Sequence, residues 1–436
     1  MKKNKNDREQ DLPVNGEQKT NKLTNRIDKI NKWAENRREE KDIVFSEPLT
    51  PPPAVDERKP LKKGGIDMWF LLWCMILMCF GAIMSYSASA VYAEQVENVS
   101  ASRYLWEYII FAAVAIVIAV PFVILARPWF WRAFGAVSYG VAIFLLILVL
   151  FIGIRDAASS EAQRWISFGF FTVQPSEIAK LALVMMLALY MSKYERQITS
   201  YGKFTGCFKH GFAMPVVIIG VLGVLIALEG HISGLMIIGL LGVAIMFLGG
   251  VRPKYLIITF AIIAVAFVLL VAVSSYAQSR LQVWMNPELD PQGKGWQTLQ
   301  GLYAIGSGGF FGLGLGLSRQ KFGYVSQPQN DFIFTIICEE LGFVGAFLVI
   351  VLFALLIWRG IKIGQHAPDK FSALVVWGLT FKIALQVLLN IAVVTNTIPN
   401  TGITLPFFSA GGTSQVIQIF ELGIILSISR FSSQKK

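Results

Sequence analysis

Charged side chains are scarce in this chain and unevenly spread. They make up 15% of its 436 residues against 54% hydrophobic ones, a balance that excludes an ordinary soluble domain. Cysteine is nearly as sparse. Cys74, Cys79, Cys207 and Cys338 show no metal-ligand spacing, and no disulfide framework is expected from them. The opening MKKNKNDREQ lacks the apolar core of a cleavable signal peptide, so the first apolar run is predicted to act as a signal anchor. No internal repeat is visible. No Ser or Cys in the polar segments has a convincing base beside it, which leaves covalent nucleophilic catalysis unsupported.

What is present is a series of apolar runs of about 17 residues or more, the length that crosses a bilayer as helix. Ten recur, at about 68–90, 106–126, 133–154, 176–192, 212–229, 232–250, 255–276, 331–357, 371–395 and 411–429. The expected fold is an all-α polytopic membrane protein with about ten transmembrane helices. With the N-terminus in the cytoplasm, the connections and tail beyond residue 67 place 14 Lys and Arg inside and 7 outside. That bias obeys the positive-inside rule and predicts both termini cytoplasmic, with one long extracellular loop over about 277–330.

The net charge of +11 therefore reflects topology, and no nucleic-acid partner is expected. Residues 1–67 mix 16 basic with 13 acidic side chains around PLTPPPAV. They read as a disordered cytoplasmic arm, with Lys62 and Lys63 either touching anionic membrane lipid or serving as a solvated linker. Residues 68–430 form the membrane domain, and 431–436 a short cytoplasmic tail.

Polar residues outside the arm gather on the outer side. In KFGYVSQPQNDFIFTIICEELG (321–342) a polar loop runs into Asp331, and Glu339 and Glu340 follow inside an apolar run. A carboxylate in hydrocarbon costs roughly 2.5–3.5 kcal/mol by insertion scales, so such an acid is a functional candidate. Asp331 could equally N-cap the helix it begins. On a regular helix Glu339 would lie about 80° around from Asp331 and about 12 Å deeper, with Glu340 facing the opposite way. Neither then shares a reacting centre with Asp331. Glu339 is expected to pair inside the bundle, with Lys180 as candidate partner, and Glu340 to serve packing or hydrogen bonding.

The stretch GSGGFFGLGLGLSRQKFG (306–323) either cradles a phosphate with its amides or packs against the bilayer surface. Nearby Arg280, Arg319 and Lys321 suit an anionic ligand. In RWISFGFFTVQPSEIAK (164–180) Pro175, Ser176 and Glu177 form a helix start after Gln174, and Lys180 can pair with Glu177 at i+3. A third polar segment is NTIPNTGITLPFFSAGGTSQ (396–415). Glu229 and His231 form either a solvated turn or part of a site. Lys382, deep in the ninth run, either snorkels toward the cytoplasm or reaches a carboxylate in the bundle.

Together with SYSAS (85–89), GLYAIGSGGFFGLGLGLSRQKFGYV (301–325), QNDFIFTIICEELGFVGA (329–346) and TGITLPFFSAGGTS (401–414), these motifs resemble the SEDS family (shape, elongation, division and sporulation), that of FtsW, RodA and SpoVE. The resemblance covers about residues 68–430 and is closer to FtsW/SpoVE than to RodA. It implies a peptidoglycan glycosyltransferase that polymerises lipid II on the outer face of the bacterial cytoplasmic membrane, at the division site. The implied partners are lipid II, the growing polyprenyl-pyrophosphate-linked glycan, a class B penicillin-binding transpeptidase and other division or elongation proteins.

Asp331 aligns with the family's essential aspartate and is the expected general base. Lys321, Arg164, Lys180, Arg319, Gln329, Asn330, Ser409, Gly411 and Gly412 are expected to bind substrate, with Glu177, Glu339, Glu340, Gln174 and Ser176 in support. A divalent cation (Mg or Mn) could share the pyrophosphate charge, though no ligand set is visible. The chain departs from the family pattern in SQPQND (326–331), where Pro-Glu-X-X-Thr-Asp is common, and at Ala410, where Tyr is usual. Alternatives are a lipid II flippase or transporter, and a division scaffold without catalysis.

Overall fold

A computed structural model describes residues 64–155, 163–169, 171–199, 207–293, 295–325, 328–409 and 412–432. The expected arm up to residue 63, residues 433–436 of the tail, and Gly411 lie outside them.

Three long helices come first: α1 (Met68–Gln95), α2 (Arg103–Leu125) and α3 (Pro128–Ile152). Three short antiparallel strands, β1 (Ile154–Arg155), β2 (Gln163–Ser167) and β3 (Thr172–Val173), then pair Ile154 with Trp165 and Ile166 with Val173. After them come α4 (Pro175–Lys193), α5 (Glu195–Thr199), a π-turn (Lys209–Ala213) running into α6 (Met214–Leu228), α7 (Ile232–Leu248) and α8 (Pro253–Val273). The chain continues through α9 (Ser275–Met285), α10 (Trp296–Ser307), α11 (Ile333–Gln365), α12 (Lys370–Val394) and α13 (Gly412–Ser429).

Local chemistry sets these starts. Asp67 caps α1 by accepting the Phe70 N–H at 2.9 Å, and Asp369 caps α12 by accepting the Ser372 N–H at 2.8 Å. Proline opens α3, α4 and α8, where its missing N–H removes no helical bond. Among the described residues nine helices are long and apolar enough to cross a membrane. The tenth expected run forms α7, whose 17 residues span about 25 Å.

Short connections make neighbouring helices antiparallel, so the helix ends fall into two groups. At one, the terminal end, the Gly64 N–H donates to the Arg430 carbonyl at 2.6 Å and the Asp67 N–H to Ser429 Oγ at 3.2 Å. The chain thus enters and leaves the bundle at the same end. The opposite, loop end carries the starts of α4, α11 and α13 and the close of α12. The two central helices are α4 and α12, with 72% of each apolar stretch buried, against 11% for the peripheral α8.

The long connection over 277–330 carries helices of its own. It holds α9, started by Ser274 accepting the Ala277 N–H at 3.2 Å, and then α10. One expectation changes: α11 is not regular, because Gly342, at φ 66° and ψ −163°, breaks it. The Phe343 and Val344 N–H groups donate to the Gly309 and Phe310 carbonyls (3.0 and 3.2 Å). The Glu339 and Glu340 carbonyls accept from Leu313 and Gly314 (both 2.9 Å). These four backbone groups flanking the break are therefore satisfied by the glycine-rich segment, as burial demands. Gly312 is needed for this approach, because a methyl group there would stand 2.2 Å from the Glu340 carbonyl oxygen.

Candidate active site

Asp331 sits in the turn just ahead of α11, half-buried at the loop end. The N-cap position of α11 falls on Phe332, one residue further on. The Asp331 carbonyl accepts the Asn390 side-chain amide of α12 at 2.7 Å, and the same amide donates to the Ile403 carbonyl at 2.7 Å. The 396–409 segment is thereby laid beside the carboxylate, and a methyl group on Gly402 would stand 3.8 Å from Asp331 Oδ2. Further ties hold that segment. Arg280 donates to the Asn400 carbonyl (2.6 Å), Trp284 to the Asn396 carbonyl (3.1 Å), and Ser233 to the Thr401 carbonyl. Gln329 is buried and Asn330 half-buried on the approach to Asp331.

The 396–409 segment continues from Asp331 to a second polar centre. Glu177, Lys382, Gln386, Ser409 and Gln415 line a pocket together with Thr404–Phe407. At its wall Lys180 pairs with the lining Glu177 at 2.6 Å, as the i+3 spacing predicts, and the lining Lys382 reaches Glu421 at 2.6 Å and Glu177 at 3.8 Å. All four side chains are buried. Lys382 therefore reaches carboxylates in the bundle and does not snorkel. Two acids and two lysines balance, which is what burial of four charges requires. Glu421 went unnoticed in the sequence, although a lone acid inside an apolar run is itself a signal.

The third centre surrounds the acid pair. Glu340 accepts from Lys321 Nζ at 3.0 Å, Ser87 Oγ at 2.7 Å and the Ser318 N–H at 3.3 Å. Glu339 accepts from the Ser318 hydroxyl and from the Arg319 and Gln320 N–H groups at 3.0 and 3.3 Å. The expected Glu339–Lys180 pair does not form. Lys180 is taken by Glu177, and the turn at 318–320 supplies Glu339 with its donors. Lys321 is buried, donating also to the Gly316 carbonyl at 2.7 Å, while the Arg319 side chain is exposed. Ser87 of the SYSAS motif contributes a donor that the motif alone does not announce.

The remaining candidates fall around these centres. Arg164 donates to the Gly230 carbonyl at 3.4 Å, Gln174 immediately precedes α4, and Ser176 is buried in its first turn. Gly412 opens α13 against Phe111. Glu229 is buried, so the solvated-turn reading does not hold. Burial pushes its carboxyl up to about 8, with Arg164 opposing the rise. Burial likewise lowers His231 to about 3, and Arg164 adds to that effect. Among the described residues no three His, Cys, Asp or Glu side chains gather to hold a metal ion, so no step is assigned to a cation.

A bundle of long apolar helices with a broken helix, a half-buried acid at one end and a buried ionic quartet defines a polytopic membrane protein with polar centres inside it. The family model described as "Cell cycle protein" (FtsW/RodA/SpoVE) matches residues 67–434. Stage V sporulation protein E of Bacillus subtilis is 39% identical over 374 residues, covering 85% of this chain and 99% of that one. A probable peptidoglycan glycosyltransferase FtsW of Trichlorobacter lovleyi is 35% identical, covering 85% and 95%.

Among solved structures, a chain from a study of polymerization and crosslinking by a peptidoglycan synthase complex superposes with TM-score 0.68 at 23% identity. It covers 85% of this chain and 99% of that one. RodA of Thermus thermophilus gives 0.61 at 22%, covering 85% and 98%. This chain belongs to the FtsW/RodA/SpoVE family.

Proposed function

We propose that this chain is a peptidoglycan glycosyltransferase that polymerises lipid II on the outer face of the bacterial cytoplasmic membrane, with Asp331 as general base. One observation carries the reading: Asp331 stands half-buried at the loop end, while Glu177, Glu339, Glu340 and Glu421 are buried in the bundle. The positive-inside bias turns the loop end outward, with ten crossings and both termini in the cytoplasm.

The reaction joins the acceptor 4-hydroxyl of one lipid II to the anomeric carbon of the growing chain. Asp331 takes the hydroxyl proton as the C–O bond forms, and polyprenyl pyrophosphate leaves with the bonding pair. The exposed Arg319 and the half-buried Arg164 face the developing pyrophosphate charge, with Gln329, Asn330, Ser409, Gly411 and Gly412 holding the sugar and lipid head. Lys321 and Lys180, each buried in an ion pair, shape the walls around them. Glu339, Glu340, Glu177, Gln174 and Ser176 support those walls.

A class B penicillin-binding transpeptidase is the proposed partner, and the division site the proposed location. Support comes from the fold relative studied for polymerization and crosslinking by a synthase complex. The test is glycan polymerisation from purified lipid II, with and without that partner. Asp331→Asn should fold normally and make no chains; normal chain synthesis by it removes the assigned base. The buried quartet between α4, α12 and α13 favours a second reading, lipid II transport. Movement of labelled lipid II across vesicles by Asp331→Asn, with no polymerisation by wild type, selects that reading.

A further inference from the structure

Asn390 lies near the end of α12 with no exposed surface. Both N–H bonds of its amide nitrogen are used, each at 2.7 Å, one on the Asp331 carbonyl and one on that of Ile403. The Asp331 carbonyl is available because α11 begins two residues later and the Thr335 N–H turns to the Phe332 carbonyl at 3.0 Å. One side chain therefore fixes both the peptide plane that aims the carboxylate and the strand of loop facing it. We infer that Asn390 is a positioning residue for glycosyl transfer, setting the gap between the Asp331 carboxylate and the Gly402 backbone in which the acceptor hydroxyl must sit.

The chemistry restricts this position to asparagine. Two donors on one short arm are required, pointing at two carbonyls. Leucine of nearly the same shape offers none, serine offers one, and an ionised aspartate would set a negative charge against both carbonyl oxygens. The ties beyond Asn390 do not replace it. Ser233 holds Thr401, and Arg280 holds Asn400, so they fix the loop without reaching Asp331. A misplacement of about 1 Å at a reacting group can lower a rate by about a hundredfold.

This inference rests on the reading of Asp331 as general base. The experiment uses the full-length protein with its transpeptidase partner and purified lipid II. In Asn390→Leu, kcat should fall at least about thirtyfold with KM within about threefold, and the acid limb of the pH profile should move. A merely structural loss would scale the rate without moving that limb. A kcat within about threefold of wild type, or a loss with the limb unmoved, overturns the inference.

Should Asn390→Leu not fold, Asn390→Asp carries the test, since only its protonated form can donate. Its rate relative to wild type should rise at least about threefold from about pH 8 to about pH 6, and a flat ratio overturns the inference. The same assay on Asp331→Asn separates the two claims. An inactive Asp331→Asn beside a fully active Asn390→Leu defeats the positioning role alone, whereas an active Asp331→Asn defeats the base itself.

Discussion

Asp331 and the pair Glu339–Glu340 belong to one short stretch of chain, and the bundle treats them oppositely. Asp331 is tied to Asn390 by its main-chain carbonyl, and the half-buried residue sets Oδ2 beside Gly402. Glu339 and Glu340 are held by their carboxylates, which take hydroxyls, amides and the Lys321 ammonium. A carboxylate buried among several donors is held as part of the scaffold, whereas Asp331 lies in the half-buried turn ahead of α11. The ionic quartet extends the first group: Glu177 and Glu421 are matched by Lys180 and Lys382.

The contrast breaks most sharply at Asp331. Asp331→Asn should lower polymerisation by about 10²–10⁴ with unchanged thermal stability, read from chain synthesis and melting of the purified protein. Lys382→Met should do the reverse. Removing one partner of a buried pair costs about 3–5 kcal/mol, because Glu421 is left charged in the interior. Adding Glu421→Met should recover more than half of the lost stability. If the double variant is no more stable than the single one, the quartet is not a neutralised structural set.

Gly342→Ala tests the scaffold of the acid pair. At φ 66°, with Gly312 N 2.3 Å from the added methyl, it should cost about 1–3 kcal/mol. Hydrogen exchange at Leu313, Gly314, Phe343 and Val344 should quicken while Asp331 chemistry persists. Protection unchanged at those four amides would contradict the exchanged bonding.

The smallest effect belongs to Glu229. Burial raises its carboxyl from 4.5 to about 8, so the folded chain binds a proton that the unfolded chain releases within that window. Its stabilising contribution is complete below the lower value and lost as pH rises through the upper one. Glu229→Gln should therefore gain a few degrees of melting temperature over wild type as pH rises across the window. A difference independent of pH would mean that Glu229 is charged when folded.

Spans, their order and the Glu177–Lys180 pair were legible because they depend on run length and i+3 spacing alone. Asp331 was legible because a polar loop meets an apolar run there. The partners of Glu339 were not, since they lie on the 318–320 turn, and the break at Gly342 depends on a segment some 30 residues away in chain. The glycines of 306–323 suggested close backbone approach; the sequence did not say that the surface approached is α11 itself. Lys382 left two destinations open, and only packing of α12 against α13 brings Glu421 to it. Asn390 carried no signal, because one amide in an apolar run announces neither of the carbonyls it serves.

During synthesis, the segment around Gly309–Gly314 emerges before the residues it will bind. A hydrophobic run entering the membrane as plain helix would close the Glu339 and Glu340 carbonyls onto their own Phe343 and Val344 amides. The finished protein has traded those bonds for four others. Opening the helix alone, or inserting the loop alone, would strip polar groups bare in hydrocarbon, so each is stable there only with the other. The glycine-rich segment thus stands in for a turn of helix, and the broken helix is complete only with that segment in place.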